Sequence, residues 1–293
     1  MIASRVARSL PGNPRIFTPF LGLQSSMINR AYSTQVEKKK KKTQQADISQ
    51  IPIKSIGVIA DFYIPPKYLK SPVTSWHKLL FRRMGLFAIN TYSIVKFRRE
   101  TGLKLHFNQW KDTAVEQLVK TNKIFAASCS IPSAKRENYL RSQLEGVTGG
   151  EVTKSLVNRA STFPPNSKLE WELLKIESNP KIVSFNALPD ANNITALVQF
   201  VIQVKTRQKF TITTINSKEP QVTESSVENY LAYTMNPFTN EMALVGSLFE
   251  SDHIRGVQPE INFTNSQVMA SFQVSCADIF RAAPKKQIEG KKD

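Results

Sequence analysis

Few residues of this chain stand at spacings that could do covalent chemistry. Glu170 and Glu172 lie two apart in an alternating stretch, which places both on one face of a strand. A pair of solvent-facing strand carboxylates explains them better than a general acid and its base. His77, beside Trp76, suits a helix surface or a packing contact. Cys129 and Cys276 are far apart, and with His77, His106 and His253 they make neither a disulfide framework nor the ligand spacing of a zinc site. Gly149-Gly150 is followed by Glu-Val-Thr-Lys instead of the Gly-Lys-Ser/Thr that closes a phosphate-binding loop. Tyr230, Asp190 and His253 are available to a pocket, but no pattern joins them. No catalytic residue, metal or cofactor is expected.

The chemistry that remains is electrostatic. Forty Lys and Arg face 23 Asp and Glu over 293 residues, a net charge of +17. The excess is segregated. Residues 48 to 111 hold eleven basic and two acidic side chains, whereas residues 112 to 280 hold fifteen basic and seventeen acidic ones. A basic run, Lys38, Lys39, Lys40, Lys41 and Lys42, precedes the first block, and a tail with Lys285, Lys286, Lys291 and Lys292 follows the second. Charge sorted in this way suits docking on a polyanion such as RNA or an anionic membrane. Ahead of the lysine run, Arg5, Arg8, Arg15 and Arg30 occur with no acid before Glu37, the composition of a mitochondrial transit peptide. The expected organisation is a presequence at 1–32, a flexible basic arm at 33–54, one domain at 55–280 and a basic tail at 281–293. No window approaches the roughly 20 apolar residues a spanning helix requires, so any membrane contact is expected to be peripheral.

The elements that must carry these charges read as helices first and strands afterwards. Trp76 to Arg99 is periodic through Leu79, Leu80, Met84, Phe87, Thr91, Ile94 and Val95, follows Pro72 and ends at Gly102. Further helices are expected over Asn108–Ser128, Pro132–Leu144 and Gly149–Ser161. Beyond Pro164-Pro165 the period falls to two. Strands are expected at Leu169–Glu177, Lys181–Leu188, Thr195–Arg207, Phe210–Ile215, Glu228–Met235, Glu241–Ser251 and Met269–Val274, with a hairpin turn at Asn236–Asn240. The pattern is α+β, with N-terminal helices packed on one face of a strongly curved antiparallel sheet. The Trp76–Arg99 helix has basic ends, Lys78, Arg82 and Arg83 at one and Lys96, Arg98 and Arg99 at the other, around an apolar centre. The favoured reading makes it the main core helix, its arginines reaching solvent along their stems. The competing reading lays it in a membrane interface.

The run Asp61-Phe-Tyr-Ile-Pro-Pro66, the stretch Trp76-His-Lys-Leu-Leu-Phe-Arg-Arg83 and Tyr92-Ser-Ile-Val-Lys-Phe97 resemble the fungal mitochondrial inner-membrane ribosome receptor family. They also look like the related large-subunit protein at the exit site of animal mitoribosomes and, more distantly, the C-terminal domain of the import-motor membrane anchor. The resemblance implies a cone-shaped α+β domain, peripheral on the matrix face of the inner membrane. Such a domain would hold the large subunit of the mitoribosome with its tunnel exit toward the insertase. Its partners would be ribosomal RNA and proteins at the exit, the insertase and anionic lipids. The lysines of the arm and tail become candidates for phosphate contacts, and Lys78, Arg82, Arg83, Lys96, Arg98 and Arg99 candidates for a basic face toward membrane or RNA. An import-motor scaffold and a small-ligand-binding cone-fold protein are the alternatives. The first lacks the long charged N-terminal region such a scaffold uses.

Removal of the presequence is expected to leave a mature chain starting at or beside Ser33. Sequencing of the mature terminus checks this, and a start at Met1 or beyond Lys42 would refute it.

Overall fold

The computed structural model describes residues 51–190, 192–214, 219–261 and 265–283. The expected presequence, the Lys38–Lys42 run and Lys285, Lys286, Lys291 and Lys292 lie outside the described residues. Four helices come first: α1 (Trp76–Thr101), α2 (Phe107–Cys129), α3 (Ser133–Gln143) and α4 (Gly150–Thr162). Gly102, at φ 69°, takes the left-handed conformation that ends α1, and its N–H closes on Arg98 O. Strands β1 (Ser167–Pro189), β2 (Thr195–Thr214), β3 (Gln221–Met235) and β4 (Met242–Leu248) follow as an antiparallel meander in the order β1-β2-β3-β4. The Asn236–Asn240 hairpin turn is present, with Asn236 Oδ1 accepting from Phe238 N and Asn240 at φ 57°.

Three expectations about the strands are corrected. Leu169–Glu177 and Lys181–Leu188 are parts of one strand, because bulges on either side of Ser178 carry β1 past Asn179-Pro180 without breaking its pairing to β2. Thr195–Arg207 and Phe210–Ile215 likewise merge, as far as Thr214, in β2; Ile215 lies outside the described residues. Met269–Val274 is no strand but the middle of a fifth helix, α5 (Ser266–Ala277). The Asn265 side chain caps α5 by accepting from Gln267 N and Val268 N, and that cap outweighs the strand preference of its valines.

The sheet is buried on both faces where β2, β3 and β4 meet. On one side Val198, Phe200, Ile202, Leu231, Tyr233 and Leu244 pack against α2 and the inner side of α1. The indole of Trp110 stacks on Phe200, with ring centroids 5.8 Å apart, and on Phe185. The Tyr233 hydroxyl donates to Ala114 O at 2.7 Å, which satisfies a fully buried phenol whose ionisation burial strongly opposes. The other face carries Val201, Ala232, Val245 and Leu248 and is covered by the extended segment of Val58, Phe62 and Ile64 and by the end of α5. Helices therefore lie on both sides of the sheet, because α5 returns to the face the first four leave open. Gly246 permits this return: a Cβ there would sit 2.7 Å from Cys276 O.

Arg136 fixes the helical layer. It is 2% exposed, and its guanidinium donates to Cys129 O and Ile131 O at the end of α2 and to Ala160 O and Phe163 O at the end of α4, at 2.8 to 3.1 Å. These carbonyls lie at or just beyond helix C-termini, where the helix dipole favours a cation. One side chain so joins three helices. Arg136→Lys, which keeps the charge but loses the planar fork, is expected to cost about 3 kcal/mol and to lower the melting temperature by roughly 10 °C. Thermal unfolding followed by circular dichroism checks this; an unchanged midpoint would show that the carbonyls find other donors.

Candidate membrane and ribosome interface

The extended segment before α1 is a mount. Asp61 is buried, accepts from Glu260 N and pairs with Arg255 at 2.6 Å. Ile64 exchanges backbone bonds with Ser251: Ile64 N donates to Ser251 Oγ and Ser251 N to Ile64 O. Lys67 pairs with Glu228 and Lys70 with Glu250, while the Tyr230 hydroxyl lies between the two carboxylates. Burial pushes the Glu228 carboxyl up, but Lys67 and the Gln203 amide together hold it below its ordinary value. Burial and the two glutamates push the Tyr230 phenol up, so it stays a neutral donor. The Trp76 indole donates to Tyr68 O and Ser71 O and meets the Tyr68 ring edge to face. The Asp61–Pro66 run and Trp76 thus set the place and direction of α1.

The six expected basic residues of α1 separate into two groups. Arg82 is half-buried and donates to His253 O and Ile254 O. Arg83 donates to Pro66 O and lies 4.6 Å from the centre of the Tyr68 ring. Both spend donors on holding neighbouring loops. They crowd the buried Tyr63 phenol, whose pKa burial raises although Arg82, Arg83 and Arg255 oppose the rise. Lys96 sits 3.8 Å from Glu100, which in turn accepts from Thr195 N and Thr195 Oγ1. Lys78, Arg98 and Arg99 are exposed, and none has a carboxylate partner among the described residues.

Between these ends the structure corrects the favoured reading of α1. Leu79, Leu86, Ser93 and Phe97 face inward, and Asn90 fastens the helix to β1 by donating to Val183 O and accepting from Phe185 N, as a neighbouring strand would. Leu80, Met84, Phe87 and Val95, expected in the core, are exposed together with Phe81 and Tyr92; Phe81 and Tyr92 each keep 69% of their surface and Phe87 73%. At 100° per residue these six cover the side of the helix opposite Leu79 and Leu86. Neither side chain set is distinguishable by period, since both recur at three and four residues. The missed signal is charge: every basic residue between Lys78 and Lys96 lies near the inward half, and the outward half from Leu80 to Val95 has none. Leu69 and Val73, in the turns before α1, are exposed as well. A cavity of about 240 Å³ opens beside the helix, lined by Asn90, Ile94, Phe107, Lys111, Ile182 and Phe185.

The α+β scaffold holds a helix that is apolar on its outward side and basic at its ends, and no helix among the described residues is long and apolar enough to cross a membrane. No group of three or more metal-binding side chains occurs among the described residues. The chain belongs to the MBA1-like protein family, which matches residues 42–285. It is similar to the inner membrane mitoribosome receptor MBA1 of Saccharomyces cerevisiae, with 30% identity over 223 residues, covering 74% of this chain and 75% of that protein.

The Asp61–Arg255 pair is the most deeply buried ion pair of the mount. Asp61→Leu leaves the Arg255 guanidinium charged and largely buried, with the exposed Glu260 carboxylate 4.0 Å away in place of its close partner, and is expected to cost about 3 kcal/mol. Asp61→Leu combined with Arg255→Met is expected to cost less than the single change. Urea unfolding of the three proteins checks the order, and additive effects would show that the two side chains act independently.

Proposed function

We propose that this chain is a peripheral receptor on the matrix side of the mitochondrial inner membrane that binds the large subunit of the mitoribosome near its tunnel exit and aligns it with the insertion machinery. The observation that carries this reading is the similarity, over about three quarters of both chains, to a protein named as an inner membrane mitoribosome receptor. The charge distribution supports it. A nearly neutral sheet half supplies shape, while the lysines of the arm and tail supply long cationic side chains suited to RNA phosphates. Interactions of this kind position a ribosome without reading its sequence, and such tethering requires no catalytic group. Lys78, Arg98 and Arg99 add fixed positive charge at the ends of α1.

Replacing Lys38, Lys39, Lys40, Lys41 and Lys42 with Gln is expected to weaken binding to purified mitoribosomes and to flatten its salt dependence, by just under about one unit of log–log slope for each phosphate left unneutralised. The melting temperature should not change. Sedimentation with mitoribosomes over a salt series measures both affinity and slope. Unaltered values would make the run a linker and assign ribosome binding to the domain.

A further inference from the structure

We propose that the outward side of α1, with Leu69 and Val73 in the turns before it, is the surface by which the protein enters the interface of an anionic lipid bilayer, α1 lying parallel to the membrane plane. The proposal deepens the peripheral attachment described above and rests on it. Four observations select a bilayer as the occupant. The outward half of α1 runs from Leu80 to Val95, about 22 Å at 1.5 Å per residue, without a charged side chain. That makes a long flat stripe, wider than the a/d seam that would pair with one partner helix. The stripe is rich in large side chains, Phe81, Phe87 and Tyr92 among them, and each keeps more than two thirds of its surface exposed. At its ends stand Lys78, Arg98 and Arg99, exposed and with no carboxylate partner among the described residues, where lipid phosphates would neutralise them. Leu69, 95% exposed, projects from a turn pinned by Lys67 and Lys70 to Glu228 and Glu250, so an apolar tip is held out on a rigid base. An exposed apolar surface of this extent on a folded domain marks an interaction site.

Trp76 makes the proposal measurable. It stands at the edge of the stripe and is 39% exposed, whereas Trp110 and Trp171 are buried in the core. In the full chain, lipid-borne quenchers placed at the level of the upper acyl chains should reach Trp76 alone. The experiment titrates the purified full chain with vesicles of phosphatidylcholine, with and without phosphatidylglycerol, some carrying brominated acyl chains, and follows tryptophan fluorescence and co-sedimentation. The expected result is binding that requires phosphatidylglycerol, with partial quenching that Trp76→Phe abolishes. Phe81→Glu with Phe87→Glu should weaken binding by about tenfold or more, and Arg98→Gln with Arg99→Gln by about fivefold per charge removed. Phe81, Phe87, Arg98 and Arg99 are exposed, so the melting temperatures of these variants should hold. Should the glutamate variant fail to fold, Phe81→Ser with Phe87→Ser and the arginine variant carry the test.

Sedimentation of the same variants with mitoribosomes separates this proposal from the receptor reading. A glutamate variant that keeps ribosome binding but no longer binds vesicles supports both. One that binds vesicles as the wild type does but no longer binds ribosomes would overturn the proposal and assign the stripe to the ribosome. Absence of vesicle binding by the wild-type chain, or a concentration-dependent dimer that Phe81→Glu with Phe87→Glu abolishes while vesicle binding is unaffected, also overturns it.

Discussion

A sheet buried on both faces imposes the constraint on which the rest of this structure depends: whatever covers it must bring its own backbone polar groups to a partner, because no water reaches them. Helices satisfy this along their length but not at their ends, and an extended covering segment does not satisfy it at all. The fold answers with side chains. Gln199, buried in β2, accepts from Ile59 N and donates to Gly57 O, so a single amide does for the covering segment what a fifth strand would do. Asn90 performs the same service for the outer edge of β1, and Arg136 for the ends of α2 and α4.

The consequence for α1 is mechanical. Its inner face is held at few points, Leu79, Leu86 and Phe97 in the core and Asn90 on the edge of β1, while its start is clamped through Trp76, Arg82 and Arg83 to the turn at Tyr68 and the loop at His253 and Ile254. A helix held by one face and one end leaves its other face open. For an ordinary soluble domain that face would be polar, since exposed Phe, Leu and Met gain nothing from water. Here the charged residues stand toward the helix ends, and the arginines nearest the apolar centre are the two turned inward to hold loops.

Charge is organised on a larger scale by the same division of labour. Within the sheet half, acids and bases are matched locally. Glu177 of β1 is held at about 2 by Lys205, Ser226 and Arg207 across the neighbouring strands, and Arg159 of α4 takes Asp278 through two bonds of 2.6 Å. The unmatched charge is exported to α1 and to the two termini. Among the described residues the sheet half is nearly neutral, whereas α1 and the segment before it carry the excess positive charge.

Much of this is legible in the sequence. The order of helices before strands, the α+β class, the Asn236–Asn240 turn and the first four helices follow from local period and from stop signals such as Gly102 and Pro164-Pro165, because these depend on neighbours within a few residues. The residues that carry the family resemblance, Asp61 to Pro66 and Trp76 to Arg83, are also visible, although their job of mounting α1 is not. Choices between locally equivalent alternatives required the folded chain. Pro180 reads as a strand break until bulges carry β1 past it, paired to β2 on either side at Ser178 and Lys181; Met269–Val274 reads as a strand until Asn265 caps it as a helix against Gly246. Leu79 and Leu80 are interchangeable to any periodicity, and which of them faces water is settled by where Asn90 meets the edge of β1, an interaction across some ninety positions of chain that no local pattern encodes.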